Sequence, residues 1–349
     1  MIACMLAVGT LSHALAGQTP GPKYIVATNA PALVRALNSV GPAGATILLR
    51  PGVYRITAPL RVARSHVNLQ GSGWNTVIQR IGSGDALIFE DAGFCTIRDL
   101  LINGDGSAAQ GNGIVFRGQS SSCTVDFCRI SNFAESGVLF DGDAKRPQSS
   151  NTVSRCHFID NGGDQLRSVS NNDFFITHNQ FGAHSRSGAR APRSGSALWP
   201  SSAGTYTMNY HWGNRVALRI GPGSHFNRFE NNRFEQSRET GVIVGAPDAP
   251  GCYLNIITGN TFHTNSEERS GQWSAIEAFG ASDITFTSNQ VFSWDSGTVK
   301  HRHSLALGKG CRNWIVTNNV FRHNAMGAIV HEADSGHIIK DNLGDEGGS

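Results

Sequence analysis

The stretch Ile256-Ile257-Thr258-Gly259-Asn260-Thr261-Phe262 carries an asparagine and, two residues later, a phenylalanine, and the same spacing returns along the chain. ITHNQF (176–181), RFENNRF (228–234), FTSNQVF (286–292) and IVTNNVF (315–321) place Asn179, Asn232, Asn260, Asn289 and Asn319 in one column, and IKDN (339–342) adds Asn342. The intervals are 53, 28, 29, 30 and 23 residues, the first reading as one coil plus an insertion. Upstream, Cys156, Cys128 and Leu100 continue the column. Two residues beyond it runs an apolar stack of Ile102, Ile130, Phe158, Phe181, Phe234, Phe262, Val291 and Phe321.

One amide and one ring per coil is the pattern of a parallel β-helix, whose coils stack about 4.8 Å apart so that like side chains lie in register. The asparagine is expected to take the left-handed corner conformation and to bond along the stack, while the ring fills the interior. A helical repeat of similar length predicts apolar residues at 3.6-residue spacing, whereas here they alternate with polar ones. The expected fold is therefore all-β: a single-stranded right-handed parallel β-helix of nine or ten rungs. Residues 30–40, APALVRALNSV, have the spacing of a short helix that caps its N-terminal end.

Composition agrees, since 41 Gly, 39% apolar and only 16% charged residues suit short strands and turns rather than long amphipathic helices. A net charge of +3 without a basic stripe gives no nucleic-acid partner and permits an acidic ligand. Residues 1–16, MIACMLAVGTLSHALA, end in a small-x-small site and read as a signal peptide, which makes the mature protein secreted or periplasmic. No later stretch approaches the roughly 18 apolar residues of a membrane span, so no membrane partner is expected. The expected division is a leader, a cap with the first strands over 17–65, and the β-helix over 66–349 with a long insertion at about 182–212.

Of seven cysteines, Cys4 lies in the leader. Cys95 and Cys123 stand at equivalent places on neighbouring rungs, as do Cys128 and Cys156, while Cys252 and Cys311 align two rungs apart. Two disulfides and a file of buried thiols both fit this spacing. No Cys or His spacing suggests zinc.

The segments TILLRPGVYRIT and HVNLQGSG, after the capping helix, resemble the beginning of pectate-lyase-like β-helix proteins, and the resemblance extends over roughly residues 24–343. It implies the architecture, and proteins of this kind are monomers or homotrimers. Their activities range over lyases, hydrolases, epimerases, transferases and phage adhesins. The chain lacks the RxPxxR run and Ca²⁺-binding Asp pattern of pectate lyases, and the NTD, DD, GHG and RIK motifs of polygalacturonases. No cofactor is assigned, with Ca²⁺ left open. SAIEAFG, around Glu277, is faintly similar to a strand of inulin fructotransferases.

A second strand column carries Val115, Leu139, Leu166, Leu218, Ile243, Ile276, Ala306 and Ile329 at its expected inward position. The next, outward position holds Phe116, Phe140, Arg167, Arg219, Val244, Glu277, Leu307 and Val330. Arg167 and Arg219 are expected one rung apart, with Glu277 two rungs further, and guanidinium groups there suit sugar carboxylates. The insertion adds Arg186, Arg190, Arg193, Trp199, Tyr206, Tyr210 and Trp212, cations and aromatics that suit an acidic sugar chain. Trp273 is expected beside His303, with Asp295, Lys300, His301 and Arg302 in the connecting loop. Lys300, Arg302 and His303 are the candidates for base or acid in β-elimination. Arg167, Asp164, Trp273, His301, Trp212 and Tyr210 are the candidate substrate contacts.

These residues point to a secreted carbohydrate-active enzyme, first of all a polysaccharide lyase acting on an acidic glycan. A glycoside hydrolase or fructan transferase using Glu239, Glu277 or Asp164 is the rival chemistry, but Glu239 and Glu277 are expected up to ~16 Å apart along the strand direction, beyond the usual carboxylate spacing. A non-enzymatic glycan-binding adhesin is the third class.

Overall fold

The computed structural model describes residues 23–185, 191–249, 251–294, 299–333 and 335–344. Residues 1–16, with the expected signal peptide, and Arg186, Arg190 and Asp295 lie outside them.

The chain winds through three long parallel sheets in a fixed order. Within a coil it passes through the third sheet (for example Ile276–Phe279), then the first (Thr285–Thr287), then the second (Gln290–Phe292). The first sheet stacks 13 strands and the second 12, and the third stacks 11 with the short strand Gln148–Ser149 paired beside them, more than nine or ten rungs supply. Lys23–Ala27 already pairs with Ala45–Leu49 at the head of the first sheet, so the solenoid begins there and residue 66 marks no boundary. The helix spans Ala30–Asn38, and the Asn29 side chain accepts from the Ala32 N–H at 2.9 Å to cap it. It buries Leu33, Ala36 and Leu37 against the first coils. In the Pro51-Gly52-Val53-Tyr54 turn, the buried Tyr54 hydroxyl reaches the carbonyls of Ala27 (2.8 Å) and Arg50 (2.9 Å), tying the first strand to that turn.

The asparagine column sits at the two-residue corner between the first and second sheets. Each Nδ2 donates to the Oδ1 of the next rung, from Asn179 through Asn209, Asn232, Asn260, Asn289 and Asn319 to Asn342, at 2.9–3.1 Å. Each Oδ1 also takes a backbone N–H of the rung before it, as Asn260 does from Asn232 N at 2.9 Å. The left-handed residue is not the asparagine. It is the one before it: His178, Met208, Asn231, Gly259, Ser288, Asn318 and Asp341 have φ between 53° and 66°. The asparagine must turn its amide inward to satisfy corner groups that no strand reaches, so its exposed neighbour takes the unusual backbone.

Asn209 also revises the insertion. The 53-residue interval holds two coils, and residues 194–212 form a complete rung with strands Ser194–Ser202, Thr205–Thr207 and Tyr210–Trp212. Its inward residues are polar apart from Leu198, which joins the apolar core. Ser196, Tyr206 and His211, one from each sheet, meet in the interior, with Ser196 Oγ to Tyr206 OH at 2.9 Å and Tyr206 OH to His211 Nε2 at 2.6 Å. His211 takes the ring position between Phe181 and Phe234 and stacks between them.

All six described cysteines are free and buried, so the aligned pairs are files of thiols. Among the described residues no helix is long and apolar enough to cross a membrane.

Candidate functional site

The register of the third sheet fixes what shares its outer face. Arg61, Ile88, Val115, Leu139, Arg167, Ala197, Arg219, Ile243, Glu277, Ala306 and Val330 form one column. Arg167, Arg219, Glu277 and Val330 are thus outward as expected. Val115, Leu139, Ile243 and Ala306 are outward too, whereas Phe116, Phe140, Val244 and Leu307 point inward into the core. Arg167 and Arg219 are two rungs apart, not one, because the Ala197 rung lies between them.

Asp164, Arg167, Arg193, Trp199 and Arg219 line an open pocket of about 310 Å³. A second hollow of about 450 Å³ shares Arg167 and Arg193 and continues towards Glu135, Leu139 and Asp141. Asp164 is buried, and its carboxylate is saturated by donors. Arg193 Nε donates at 2.9 Å and its Nη2 meets the other oxygen; Ser194 Oγ donates at 2.6 Å and Arg167 Nη1 lies at 3.4 Å. So occupied, it aims the arginines rather than meeting a ligand. Arg193 and Arg167 remain 50% and 38% exposed, which leaves donors facing the cleft. Arg219 is more enclosed: burial pushes its pKa down while Asp164 opposes this, and its Nε has no hydrogen-bond partner. Three guanidinium groups around one carboxylate leave this pocket with surplus positive charge, while the adjoining hollow carries the carboxylates of Glu135 and Asp141.

Glu277 stands two rungs beyond Arg219 on the same column. Its carboxylate turns back along the chain to accept from Ser274 N at 3.0 Å, and the Thr240 hydroxyl contributes. Burial raises its pKa, against those hydrogen bonds and the Arg302 charge, and Glu239 raises it further. Glu239 is thus near enough for its charge to act on Glu277, which a straight strand does not predict. Glu239 itself is held by Arg215 Nε at 2.7 Å.

The remaining candidates separate. His301 is fully buried: its Nε2 accepts from Asn265 N at 3.0 Å, doing an asparagine's work at a coil corner, and burial pushes its pKa down to about 3. It cannot touch substrate. Lys300 pairs with Glu267 at 3.6 Å, both largely enclosed. Trp273 lies beside Arg302, whose N–H donates to the Trp273 carbonyl at 2.8 Å, so its partner is one residue before the expected His303. His303 Nδ1 meets the Gly327 carbonyl at 3.1 Å, and burial lowers its pKa. A carbonyl only accepts, so that nitrogen carries the hydrogen and Nε2 of the neutral ring keeps its lone pair. Arg302 is exposed.

Tyr210 and Trp212 belong to the second sheet, a different face from the arginines. There Tyr210 donates to Glu235, a buried carboxylate that also holds Arg233 and His263. Sequence patterns missed this cluster because Glu235 and His263 recur one residue after the ring column, where Trp212 and Phe292 also lie. Among the described residues no group of three or more His, Cys, Asp or Glu is placed to hold a metal ion.

The family described as right-handed beta helix region matches residues 64–208 and again 194–346. The chain belongs to this family. No curated protein matches the sequence of this β-helix. Among solved structures, the A-module of the Azotobacter vinelandii mannuronan C-5 epimerase AlgE6 is similar at 15% identity and a TM-score of 0.69, covering 90% of this chain and 94% of that one. The tailspike of E. coli bacteriophage HK620, in complex with a pentasaccharide, is similar at 14% identity and 0.69, covering 91% and 62%. An alginate lyase from Paenibacillus sp. str. FPU-7 is similar at 16% identity and 0.51, covering 92% and 99%. At these identities the similarity concerns the fold.

Proposed function

We propose that this β-helix binds an acidic polysaccharide along the outer face of its third sheet and cleaves it by β-elimination. The observation that carries the reading is the cluster of Arg167, Arg193 and Arg219 around the single, already saturated carboxylate of Asp164. A guanidinium fits a carboxylate bidentately, and a partly enclosed one holds it more strongly than one in bulk water. The similar structures named as an alginate lyase and a mannuronan epimerase, proteins of uronate polymers, support the substrate class. A substrate of this kind lies outside the cell, which agrees with residues 1–16 acting as an export signal.

In this mechanism an arginine neutralises the uronate carboxylate and so acidifies the adjacent C5 proton. His303, neutral with Nε2 as its basic nitrogen, takes that proton. Electrons of the broken C–H bond form the C4–C5 double bond, and the C4–O bond breaks. Glu277, which burial keeps protonated to higher pH than an exposed glutamate, returns a proton to the leaving oxygen. The test is absorbance of new unsaturated ends on a panel of uronate polymers. Cleavage without that absorbance overturns the elimination.

A second reading is favoured by one observation, the charge of Glu239 close enough to Glu277 to raise its pKa: hydrolysis or glycosyl transfer by paired carboxylates, Glu277 as acid. Glu277→Gln with full activity removes it.

A further inference from the structure

Beside the arginine column runs a second outward column on the third sheet. It reads Val169, Trp199, Gly221, Gly245, Phe279 and Gly308, two residues past Arg167, Ala197, Arg219, Ile243, Glu277 and Ala306. Its two aromatic residues each lie over a glycine of the following rung. A Cβ on Gly221 would stand 2.3 Å from Trp199 Cε3, and a Cβ on Gly308 would stand 2.9 Å from Phe279 Cδ1. Neither glycine has the positive φ that requires glycine, so it is space that excludes alanine: at Gly221 the three nearest atoms are all of the Trp199 ring, and at Gly308 the Phe279 ring is nearest, with the Ala278 carbonyl oxygen at 3.1 Å behind it. What the sequence preserves at these two places is room for a flat ring to rest on the sheet.

A ring resting on backbone offers its other face outward. Both side chains are half-buried, and among the described residues no other ring packs on either. Other ring-over-glycine pairs are closed: Phe174 over Gly204 is wholly interior, and Trp212 over Gly182 has His184 against it at 4.9 Å. Trp199 lines the arginine pocket, and Phe279 shares its strand and face with Glu277. Flat apolar faces beside charged groups suit pyranose rings, which present C–H faces and polar rims.

We infer that Trp199 and Phe279 are two sugar-stacking platforms, each seated on a glycine, that hold a glycan chain parallel to the solenoid axis at either end of the Arg219-to-Glu277 segment. This rests on the outer face of the third sheet being the glycan site, but not on the reaction performed there. The platforms are three rungs apart, about 14 Å at the rung spacing, more than a disaccharide covers. An oligosaccharide must therefore reach trisaccharide or tetrasaccharide length before it touches both.

The experiment measures dissociation constants of the whole protein for a uronate oligosaccharide series from disaccharide to hexasaccharide, by calorimetry at fixed ionic strength, for wild type, Trp199→Ala, Phe279→Ala, and the gentler Gly221→Ala and Gly308→Ala. The wild type is expected to tighten in a step of at least ~10-fold at the length that spans both rings, which corresponds to about 1.4 kcal/mol. Each single variant is expected to abolish the step while leaving disaccharide affinity within ~3-fold for one of the two ring variants. The glycine variants, whose added methyl lifts the ring, are expected to act in the same direction with thermal unfolding unchanged within a few degrees. A smooth rise of affinity with length, or a step that survives both ring substitutions, overturns the inference. Binding abolished by Arg219→Gln but unaffected by either ring keeps the acidic-glycan reading and refutes the platforms. No binding of any uronate oligomer refutes both.

Discussion

His211 and His301 are fully buried and neutral, and burial pushes both pKa values down to about 3. Protonation inside the fold has nowhere to go. Nε2 of His301 accepts the Asn265 N–H, His211 Nε2 meets the Tyr206 hydroxyl, and neither Nδ1 has a hydrogen bond of good geometry. Unfolded, each ring titrates near 6.5, so as pH falls below that the unfolded chain takes up protons that the folded chain refuses. The folded pKa is depressed; stability is complete above about pH 6.5 and is lost as pH falls towards 3. At pH 5 each ring costs about 2 kcal/mol (1.36 kcal/mol for each of ~1.5 pH units), a value that holds for any folded pKa below about 4. Two rings remove about 4 kcal/mol, a large part of the 5–15 kcal/mol typical of a domain. His301→Asn restores the amide that other corners use, and His211→Phe restores the ring that other rungs stack. Urea unfolding at pH 7.5 and 5.0 should show each variant losing about 2 kcal/mol less than wild type between those conditions, whatever its stability at pH 7.5. Equal losses in wild type and His301→Asn would refute the assignment of this histidine as a buried neutral acceptor.

Asn260→Ala removes an amide that accepts from Asn232 and donates to Asn289 and to the Phe229 and Thr258 carbonyls. It should cost about 3 kcal/mol or more in chemical unfolding, since buried groups on both neighbouring rungs are left unsatisfied. Arg219→Gln should weaken uronate oligomer binding by ~10-fold or more and flatten its dependence on salt, read by titration at two ionic strengths. Asp164→Asn should weaken it as well, although it removes a negative charge from the cleft, because Arg193 and Arg167 lose the group that aims them. Alkylation of the denatured mature chain without reductant should label six thiols, and reductant should leave the melting temperature unchanged.

The ladder was legible because amide and ring recur with nothing else in common between coils. The 194–212 rung escaped it for the same reason: with Ser196, Tyr206 and His211 inside, it has the amide of Asn209 but no apolar ring two residues on. Miscounting that coil placed Arg167 one rung too near Arg219. The inside and outside of the third sheet were confused at Val115 and Phe116 because both are fully buried, so hydrophobicity carried no sign of direction. Where the outward residue was charged, at Arg167, Arg219 and Glu277, polarity gave the answer. The roles of His301 and Lys300 were hidden in a run, KHRHS, that looks like a solvated loop until the corner amide missing from that coil is noticed.

The polar storey formed by Ser196, Tyr206 and His211 ties the three walls of the solenoid to one another with directed hydroxyl and imidazole bonds that lie within one level. Above and below, it is joined to its neighbours by the His211 ring against Phe181 and Phe234 and by the long ladder of Ser194–Ser202 on Asp164–Asn172. Arg193 and Trp199 leave from the same storey. The walls should therefore be least free to shift against one another under the cleft, giving the arginines and the indole a braced footing where a sugar chain would lie.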